Sequence, residues 1–241
     1  MSLVVIARNE GDRIGRCLRS LPGDVERIVV VDASTTDDTA SVAIREGAIV
    51  VERPWPGHVA QKNFALACAT RPWILSLDAD EWLSPIASAE VRAVVRHPTP
   101  NAGYAFPRCS DWLGRPIRSG RWYPDRKLRL VRRGLARWKG DDPHDLLHVD
   151  GPVARLSGEI RHAPYRTIWE HLRTIDRYTA IHARSLRARG VRARPWDPVL
   201  RPTLHFVDAM LLKAAWRDGA DGIAVAALGA VHTHLKWSRL R

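Results

Sequence analysis

The chain has 241 residues, a formal net charge of +12 at neutral pH and three cysteines that form no pairwise motif. Scattered cysteines favour a reducing compartment and argue against a fold built on disulfides. The length fits one elaborated domain of roughly 160 residues followed by a helical region. No secretory signal is visible, because an apolar strand pattern begins at Leu3, so we expect a cytoplasmic protein.

Strand and helix patterns alternate through the first third of the chain. Strands are predicted at residues 3–7, 27–31, 48–52 and 73–77, and helices in the segments between them up to residue 21, at 39–46 and at 59–69. This alternation predicts an α/β fold with a mostly parallel sheet, in which ligands bind outside the carboxyl ends of the strands. Asn9, Asp32 and Asp78 all fall at such ends.

Two carboxylates, Asp78 and Asp80, directly follow the fourth predicted strand. Desolvating acids at the edge of an apolar sheet is costly unless a cation or hydrogen-bond donors compensate. Carboxylates are ligands for Mg²⁺ or Mn²⁺, and an ion held by one or two of them keeps positions free for substrate phosphates. The pattern favours a metal and phosphate site. For the motif taken alone, the alternative is a turn capped by solvated acids.

Six stretches of the chain together resemble a known family. They are Val5–Glu10, Val30–Asp37, Gln61–Ala65, Trp73–Glu81, Trp122–Asp125 with Leu128–Leu130, and Pro143–Asp145. In order and spacing they are similar to the family 2 inverting glycosyltransferases of the GT-A fold, and more narrowly to the bacterial branch that builds the inner core of lipopolysaccharide. The resemblance implies a Rossmann-like GT-A catalytic domain at residues 1–166 with a C-terminal helical extension at 167–241.

The same resemblance assigns roles to individual residues. A nucleoside diphosphate sugar, with UDP expected as the nucleotide, is implied to contact Ala7, Asn9, Glu10, Asp32, Lys62, Asp78 and Ala79. Asp78 and Asp80 are implied to hold a divalent metal, Mg²⁺ or Mn²⁺, with Asp80 the more direct ligand. Asp145 stands at the position of the catalytic base. The branch usually carries Glu there, and it usually carries Gly where this chain has Ser34.

Three histidines lie near the predicted base in the sequence. His162 follows an apparent strand, and we interpret it as a third metal ligand or a diphosphate contact. The alternative is a hydrogen-bonded structural histidine, which is the more common role of a lone His. The spacing of His144, His148 and His162 matches no closed zinc pattern.

The predicted reaction moves a hexose, with glucose favoured, from the donor to a lipopolysaccharide-core or related cell-envelope acceptor. A metal or cationic clamp stabilises the leaving phosphate, and a carboxylate on the opposite face accepts the acceptor's proton, so a single displacement inverts the anomeric centre. One alternative is a polyprenyl-phosphate or other envelope glycosyl transfer. Another is an inactive sugar-nucleotide or membrane-binding module, although Asp78, Asp80 and Asp145 are all present.

Basic residues are in excess at 108–140 and at 161–241. A nucleic-acid partner is not expected, because no recognised nucleic-acid module is present and acids occupy the presumed cleft. An anionic membrane surface or a phosphorylated, lipid-linked glycan acceptor fits the charge better. We therefore expect the chain to lie peripherally on the inner face of the bacterial inner membrane.

Residues 167–241 carry three amphipathic helical patterns, at 167–189, 203–217 and 223–235. Pro195, Pro198 and Pro202 are predicted to interrupt the first of these patterns. None has the ~20 uncharged residues needed to span a bilayer, so an interfacial position is predicted. The alternative is a bundle packed on the catalytic domain or a surface that binds a second copy in a homo-oligomer.

Overall fold

The computed structural model describes residues 1–97, 99–140 and 145–241. The chain divides into two compact units. The first unit comprises Met1–Arg108 with Asp125–His162, and the second comprises Cys109–Pro124 with Ala163–Arg241. The predicted division at residue 166 stays a prediction of domain organisation, and the two units differ from it mainly by the segment 109–124.

The first unit is built on a mixed sheet. The strands of the chain are β1 Ser2–Ala7, β2 Glu26–Asp32, β3 Ile49–Arg53, β4 Trp73–Asp78, β5 Glu81–Leu83, β6 Gly103–Trp112, β7 Arg115–Pro116, β8 Asp125–Arg132, β9 Ala136–Lys139, β10 Leu146–Val149, β11 Val153–Arg155 and β12 Ile160–His162. The main sheet has the order β3-β2-β1-β4-β8-β6-β12-β5, with β11 alongside β6, and β9 pairs with β10 in a separate hairpin. The second unit contains β7, which pairs with the end of β6.

The helices are α1 Gly11–Arg19, α2 Thr39–Arg45, α3 His58–Cys68, α4 Pro85–Arg96, α5 Ile168–Ala188, α6 Asp197–Val207 and α7 Gly219–Ser238. Two of them begin at side-chain caps. The hydroxyl of Ser84 accepts a hydrogen bond from Ala87 N at 3.2 Å ahead of α4, and that of Thr167 accepts one from Glu170 N at 3.1 Å ahead of α5. These residues satisfy amide groups that the first helical turn leaves unpaired.

The four strands predicted from the first third of the chain are present, and β3, β2, β1 and β4 run parallel to their neighbours. The apolar runs of β1, β2 and β4 are buried on both faces, with Leu3 and Leu75 in one core cluster and Val4 and Ile74 in the other, whereas the edge strand β3 is partly exposed. This is the pattern expected of central parallel strands. Beyond β4 the sheet continues antiparallel through β8 and β6.

The prediction of a helix at 203–217 was wrong. Helix α6 ends at Val207, and the chain continues through a π-helical turn at Asp208–Leu212 and a 3₁₀ turn at Ala215–Asp218. The prolines do not break α6, because Pro198 lies in its first turn, where a missing N–H costs nothing. Pro202 removes one internal hydrogen bond, and the carbonyl of Pro198 instead accepts from His234 Nδ1 at 2.7 Å.

The first and third helical patterns of the C-terminal region correspond to α5 and α7. In the parts of the chain that the structure describes, no helix has both the length and the apolar character required to cross a membrane.

Candidate functional site

The residues that follow β1, β2 and β4 lie at one edge of the sheet. Strand β1 pairs in parallel with β2 on one side and with β4 on the other, with Ala7 opposite Val31 and Ile6 opposite Asp78. Because parallel strands end at the same edge, Asn9, Asp32 and Asp78 fall in one neighbourhood. The structure thus brings together the strand-end residues that the sequence singled out.

The loop after β1 is tied to the loop after β2. Asn9 has a positive φ of 54°, a conformation that asparagine tolerates better than most residues. Its side-chain oxygen accepts a hydrogen bond from Thr36 N at 2.9 Å, and the backbone N–H of Glu10 donates to Thr39 Oγ1 at 2.8 Å. The side chain of Ala7 is buried in the core, so any contact it makes with a ligand comes from its backbone.

Asp32 is 2% exposed and has one carboxylate oxygen without a hydrogen-bond donor among the described residues. Its Oδ1 accepts from Ser34 N at 2.9 Å. Its Oδ2 lies 3.5 Å from Arg8 Nε, an ion pair without hydrogen-bond geometry. A buried acceptor in this state is costly, so the site fits a ligand that brings an N–H or O–H to Oδ2.

Both oxygens of Asp78 are engaged by cations. Lys62 Nζ lies 2.8 Å from Oδ1, and Arg129 Nη2 lies 2.9 Å from Oδ2. Burial alone would raise the pKa of Asp78, but the charges of Lys62 and Arg129 outweigh it and hold the pKa well below its ordinary value. Asp78 is therefore ionised and locked in orientation. Ala79, next along the chain, is buried in the core.

Lys62 links the strand-end acids to the predicted base. Its Nζ lies 2.8 Å from Asp145 Oδ2 as well as 2.8 Å from Asp78 Oδ1, and it stands 4.3 Å from the centre of the Trp138 ring. Desolvation of this buried amine lowers its pKa, yet Asp78 and Asp145 reverse the effect, and the pKa is raised. Lys62 is a charged bridge on α3 that holds two carboxylates together.

A fully buried carboxylate, Glu81, extends this arrangement. Arg129 Nε donates to Glu81 Oε2 at 2.9 Å and Arg129 Nη2 to Oε1 at 2.9 Å, while Arg108 Nη1 donates to Oε1 at 3.1 Å. Arg108 also pairs with Asp125 at 2.6 Å. The pKa of Glu81 is lowered because Arg129 and Arg108 outweigh its burial and the repulsion of Asp78.

We call this sequence of alternating charges the charge chain. Its members are Asp125, Arg108, Glu81, Arg129, Asp78, Lys62 and Asp145. Each inner member contacts opposite charges, which is the condition under which buried ions are tolerated.

Asp80 and His162 stand apart from the charge chain and face each other. His162 Nε2 lies 3.4 Å from Asp80 Oδ2, and the two side chains are 15% and 21% exposed. Arg13 Nη1 is 3.9 Å from the same oxygen of Asp80. In the antiparallel pairing of β12 with β5, His162 lies opposite Glu81. Glu81 directly follows Asp80 in the chain, so the pairing brings His162 close to Asp80.

The donor set of Asp80 and His162 suits a hydrated divalent ion. One carboxylate leaves most of an octahedral shell to phosphate oxygens and water, the ligands that Mg²⁺ and Mn²⁺ prefer, and the imidazole can add one nitrogen ligand. Within residues 1–97, 99–140 and 145–241, no group of three or more His, Cys, Asp or Glu side chains is arranged to hold an ion. The residues present therefore fit a substrate-completed site better than a closed protein cage.

Sequence reasoning missed four residues of this neighbourhood, which are Glu81, Arg108, Arg129 and Trp138. Two had a signal, since Glu81 directly follows Asp80 and Arg129 lies in one of the resembling stretches. Of the acid-rich segment before Asp145, residues 141–144 lie outside the described residues, and with them His144. His148 is exposed on β10.

Comparison with known proteins shows which proteins this chain is similar to. The family model of glycosyl transferase family 2 matches residues 2–145, which is more than half of the chain. The chain is 27% identical over 247 residues to the lipopolysaccharide core biosynthesis glycosyltransferase LpsC of Rhizobium meliloti, covering 100% of this chain and 91% of that relative. An uncharacterised glycosyltransferase of Rickettsia typhi is 25% identical over 252 residues, covering 100% and 86%.

Two solved structures share the fold. TarS of S. aureus, solved with UDP-GlcNAc, has a TM-score of 0.52 at 14% identity over 96% of this chain and 80% of its own. A mannosyltransferase of Pyrobaculum calidifontis, solved with GDP-Man and Mn²⁺, has a TM-score of 0.52 at 18% identity over 99% and 84%. These likenesses confirm the predicted GT-A fold.

Proposed function

The chain belongs to glycosyl transferase family 2, and we propose that it inverts the anomeric centre as it transfers a hexose from a nucleoside diphosphate sugar to a cell-envelope glycan. One observation carries the proposal. Lys62 Nζ lies 2.8 Å from both Asp78 and Asp145, so the proposed base adjoins the carboxylates of the proposed donor site. A displacement reaction needs a base and a leaving-group clamp at one centre.

The donor is proposed to bind across the ends of β1, β2 and β4. Asp32 Oδ2 is the acceptor that a nucleoside N–H or hydroxyl would satisfy, and UDP is the favoured nucleotide. Asn9, Glu10 and Ala7 border the same edge. Two proteins of similar fold were solved with nucleotide sugars, UDP-GlcNAc and GDP-Man, which supports this ligand class.

A divalent ion, Mg²⁺ or Mn²⁺, is proposed to be held by Asp80 and His162 beside Asp78. Such an ion supplies positive charge to the departing diphosphate. Asp80 is the more direct ligand, because both oxygens of Asp78 already accept from cations. Asp78 then acts mainly by fixing Lys62 and Arg129, whose own charges face the same neighbourhood.

Asp145 is proposed to accept the proton of the acceptor hydroxyl. Lys62 holds its Oδ2, and Oδ1 is the oxygen we assign to the proton. The carboxylate is shorter by one methylene than the glutamate usual in the resembling branch. Lys62 on α3 fixes where the shorter carboxylate lies.

The acceptor is proposed to be a lipopolysaccharide core or a related lipid-linked envelope glycan. The support is the similarity along the full chain to a protein named for lipopolysaccharide core biosynthesis. Glucose is the favoured sugar. Such an acceptor places the enzyme peripherally on the inner face of the inner membrane.

A donor screen tests the reaction. UDP-glucose, UDP-GlcNAc and GDP-mannose are each incubated with the protein, a lipopolysaccharide-core glycan as acceptor and Mg²⁺, Mn²⁺ or a chelator, and nucleotide release is followed. We expect one donor to be turned over with the metal and not with the chelator, and NMR of the glycosylated acceptor to show inversion at the anomeric carbon. No turnover of any donor would favour the inactive binding module.

The metal ligand is tested separately by Asp80→Ala, which deletes a charged, partly exposed ligand rather than a packing group. Calorimetric titration with UDP is expected to lose its Mn²⁺ dependence in this variant. Asp24→Ala, at an exposed acid of the same unit, is the matched control and should titrate as wild type. Unchanged affinity in Asp80→Ala would remove Asp80 from the proposed site.

A further inference from the structure

Helix α6 of the second unit and the turns after it expose a continuous run of large apolar side chains. Leu212 is 78% exposed, Leu211 72% and Val199 68%. The full set, which we call the α6 face, is Trp196, Val199, Leu200, Leu204, Val207, Leu211, Leu212 and Trp216. Up to Leu211 its members recur at steps of mostly three and four residues, so they share one side of the helix.

The opposite side of α6 already has its packing partner. Pro198 and Pro202 are buried, and so is Ala209 in the turn after the helix, which belongs to an apolar cluster with Ala226 of α7. The helix is therefore fixed in the unit without any contribution from the α6 face. An apolar surface of this size that does not serve the unit's own core indicates an external partner.

The polar group on this side does not need water. Thr203, which lies between the apolar positions, donates its hydroxyl proton to the carbonyl of Val199 at 2.8 Å. A threonine hydroxyl satisfied by its own helix enters an apolar medium at low cost. The α6 face is thus suited to a partner that removes it from water.

The surroundings of the α6 face are basic. Arg192, Arg194, Lys213 and Arg217 are all exposed. The two acids of residues 191–217 are both paired within the second unit. Asp197 accepts from Arg201 Nε at 2.7 Å, and Asp208 accepts from Arg121.

We propose that the α6 face is the membrane-contact surface of this protein and lies in the interfacial region of a bilayer rich in anionic lipid. Apolar side chains enter the acyl boundary while the four exposed basic residues meet phosphate headgroups. Trp196 and Trp216 are the first and last residues of the face along the chain, and indole rings favour the headgroup level. A second copy is a poorer occupant, because symmetric docking would bring like charges together.

The inference rests on the proposed function in one respect, since a lipid-linked acceptor gives the enzyme a reason to lie at a membrane. The two can fail separately. Donor hydrolysis in solution reports the transfer chemistry, and vesicle binding reports the α6 face.

The test is cosedimentation of the full chain with vesicles of phosphatidylcholine alone and of phosphatidylcholine with phosphatidylglycerol in equal parts. The variant is the double substitution Leu211→Glu with Leu212→Glu, which changes side chains that are largely exposed. The matched control is Ile44→Glu with Ile86→Glu, two side chains of the first unit exposed by 62% and 64%.

We expect wild type and control to bind the anionic vesicles, more weakly at high salt. Partitioning of the Leu211/Leu212 variant is expected to fall by roughly a factor of ten or more, because burial of each leucine is lost and negative charge is added. Donor hydrolysis and the thermal midpoint should match wild type. Wild-type binding by the double variant would overturn the proposal, as would a wild-type protein that ignores anionic vesicles. A dimer abolished by the variant would assign the face to a second copy instead.

Discussion

The two units depart from the usual burial of apolar and exposure of charged side chains in opposite ways. The first unit buries charge, since Glu81 is inaccessible and Arg129 and Lys62 are nearly so. The second exposes apolar surface, since Leu211 and Leu212 are largely in solvent. Each of these three buried charges has an opposite charge beside it, whereas the apolar face of the second unit lies on the side of α6 away from its packing against α7.

The difference lies in where the compensating partner comes from. A buried ion must be compensated inside the fold, because an uncompensated one costs several kcal/mol and the chain would not hold that shape. An exposed leucine costs the folded state little relative to the unfolded one, so its partner can be a separate body. The charge chain therefore stabilises the site from within the fold, whereas the α6 face can be covered only by a separate partner.

The largest effect is expected from Arg129→Met in the middle of the charge chain. It leaves Glu81 buried without its main partner and frees one oxygen of Asp78, and breaking a buried pair in this way costs about 3–5 kcal/mol. Urea unfolding at neutral pH measures it. Arg126→Met, at an exposed arginine of the same strand, is the control. An equal loss of unfolding free energy in the two variants would show that the ion pairs of the charge chain add no stability beyond that of a surface arginine.

Asp145→Asn, at the end of the charge chain, tests whether Asp145 is needed for turnover without being needed for UDP binding. The amide oxygen still accepts from Lys62, but the group no longer takes a proton at neutral pH, so turnover should fall by about a hundredfold or more. The dissociation constant for UDP should stay the same. Asp150→Asn, at an exposed acid, serves for comparison. A loss of turnover below about tenfold, near 1.4 kcal/mol, would place the base elsewhere.

Acid should weaken the first unit through Glu81 and Asp78. Their folded-state pKa values are lowered, so the stability they add is complete above the unfolded values near pH 4 and is lost as pH falls below them. Each contributes a slope of up to about 1.4 kcal/mol per pH unit.

Glu81→Gln checks that sign. The variant should be less stable than wild type at neutral pH, and the gap should narrow as urea unfolding is repeated below about pH 4. Glu52→Gln, at an exposed glutamate, should show no such gap. A gap for Glu81→Gln that is constant with pH would mean that the ionisation of Glu81 does not support the fold.

The smallest change in the free energy of unfolding is expected from a substitution on the α6 face. Leu212→Ser should change the free energy of unfolding by no more than about 0.5 kcal/mol, as for other surface positions. Leu75→Ala in the sheet should lose about 2–5 kcal/mol. Thermal or urea unfolding of the two variants compares them. A loss of more than about 1 kcal/mol in Leu212→Ser would show that the face packs within the protein.

Much of the first unit was predictable because local patterns determine it. Apolar runs at β1, β2 and β4 specify buried strands, and strand-helix alternation specifies that they run parallel. Parallel strands end at one edge, so the placement of Asp32 and Asp78 followed from the same patterns. The stretch with Pro198 and Pro202 was not predicted to be helical, yet it forms α6, because Pro198 lies in the first turn and His234 donates to the carbonyl that Pro202 leaves unpaired.

By itself the sequence determined which residue types stand at the strand ends and hence the family and the class of chemistry. Only the tertiary structure decided their partners. The antiparallel register of β8 beside β4 brings Arg129 to Asp78, a residue more than fifty positions earlier, and α3 turns Lys62 toward Asp145. Local propensities act over a few residues, whereas ion pairs and exposed faces depend on which distant elements pack together.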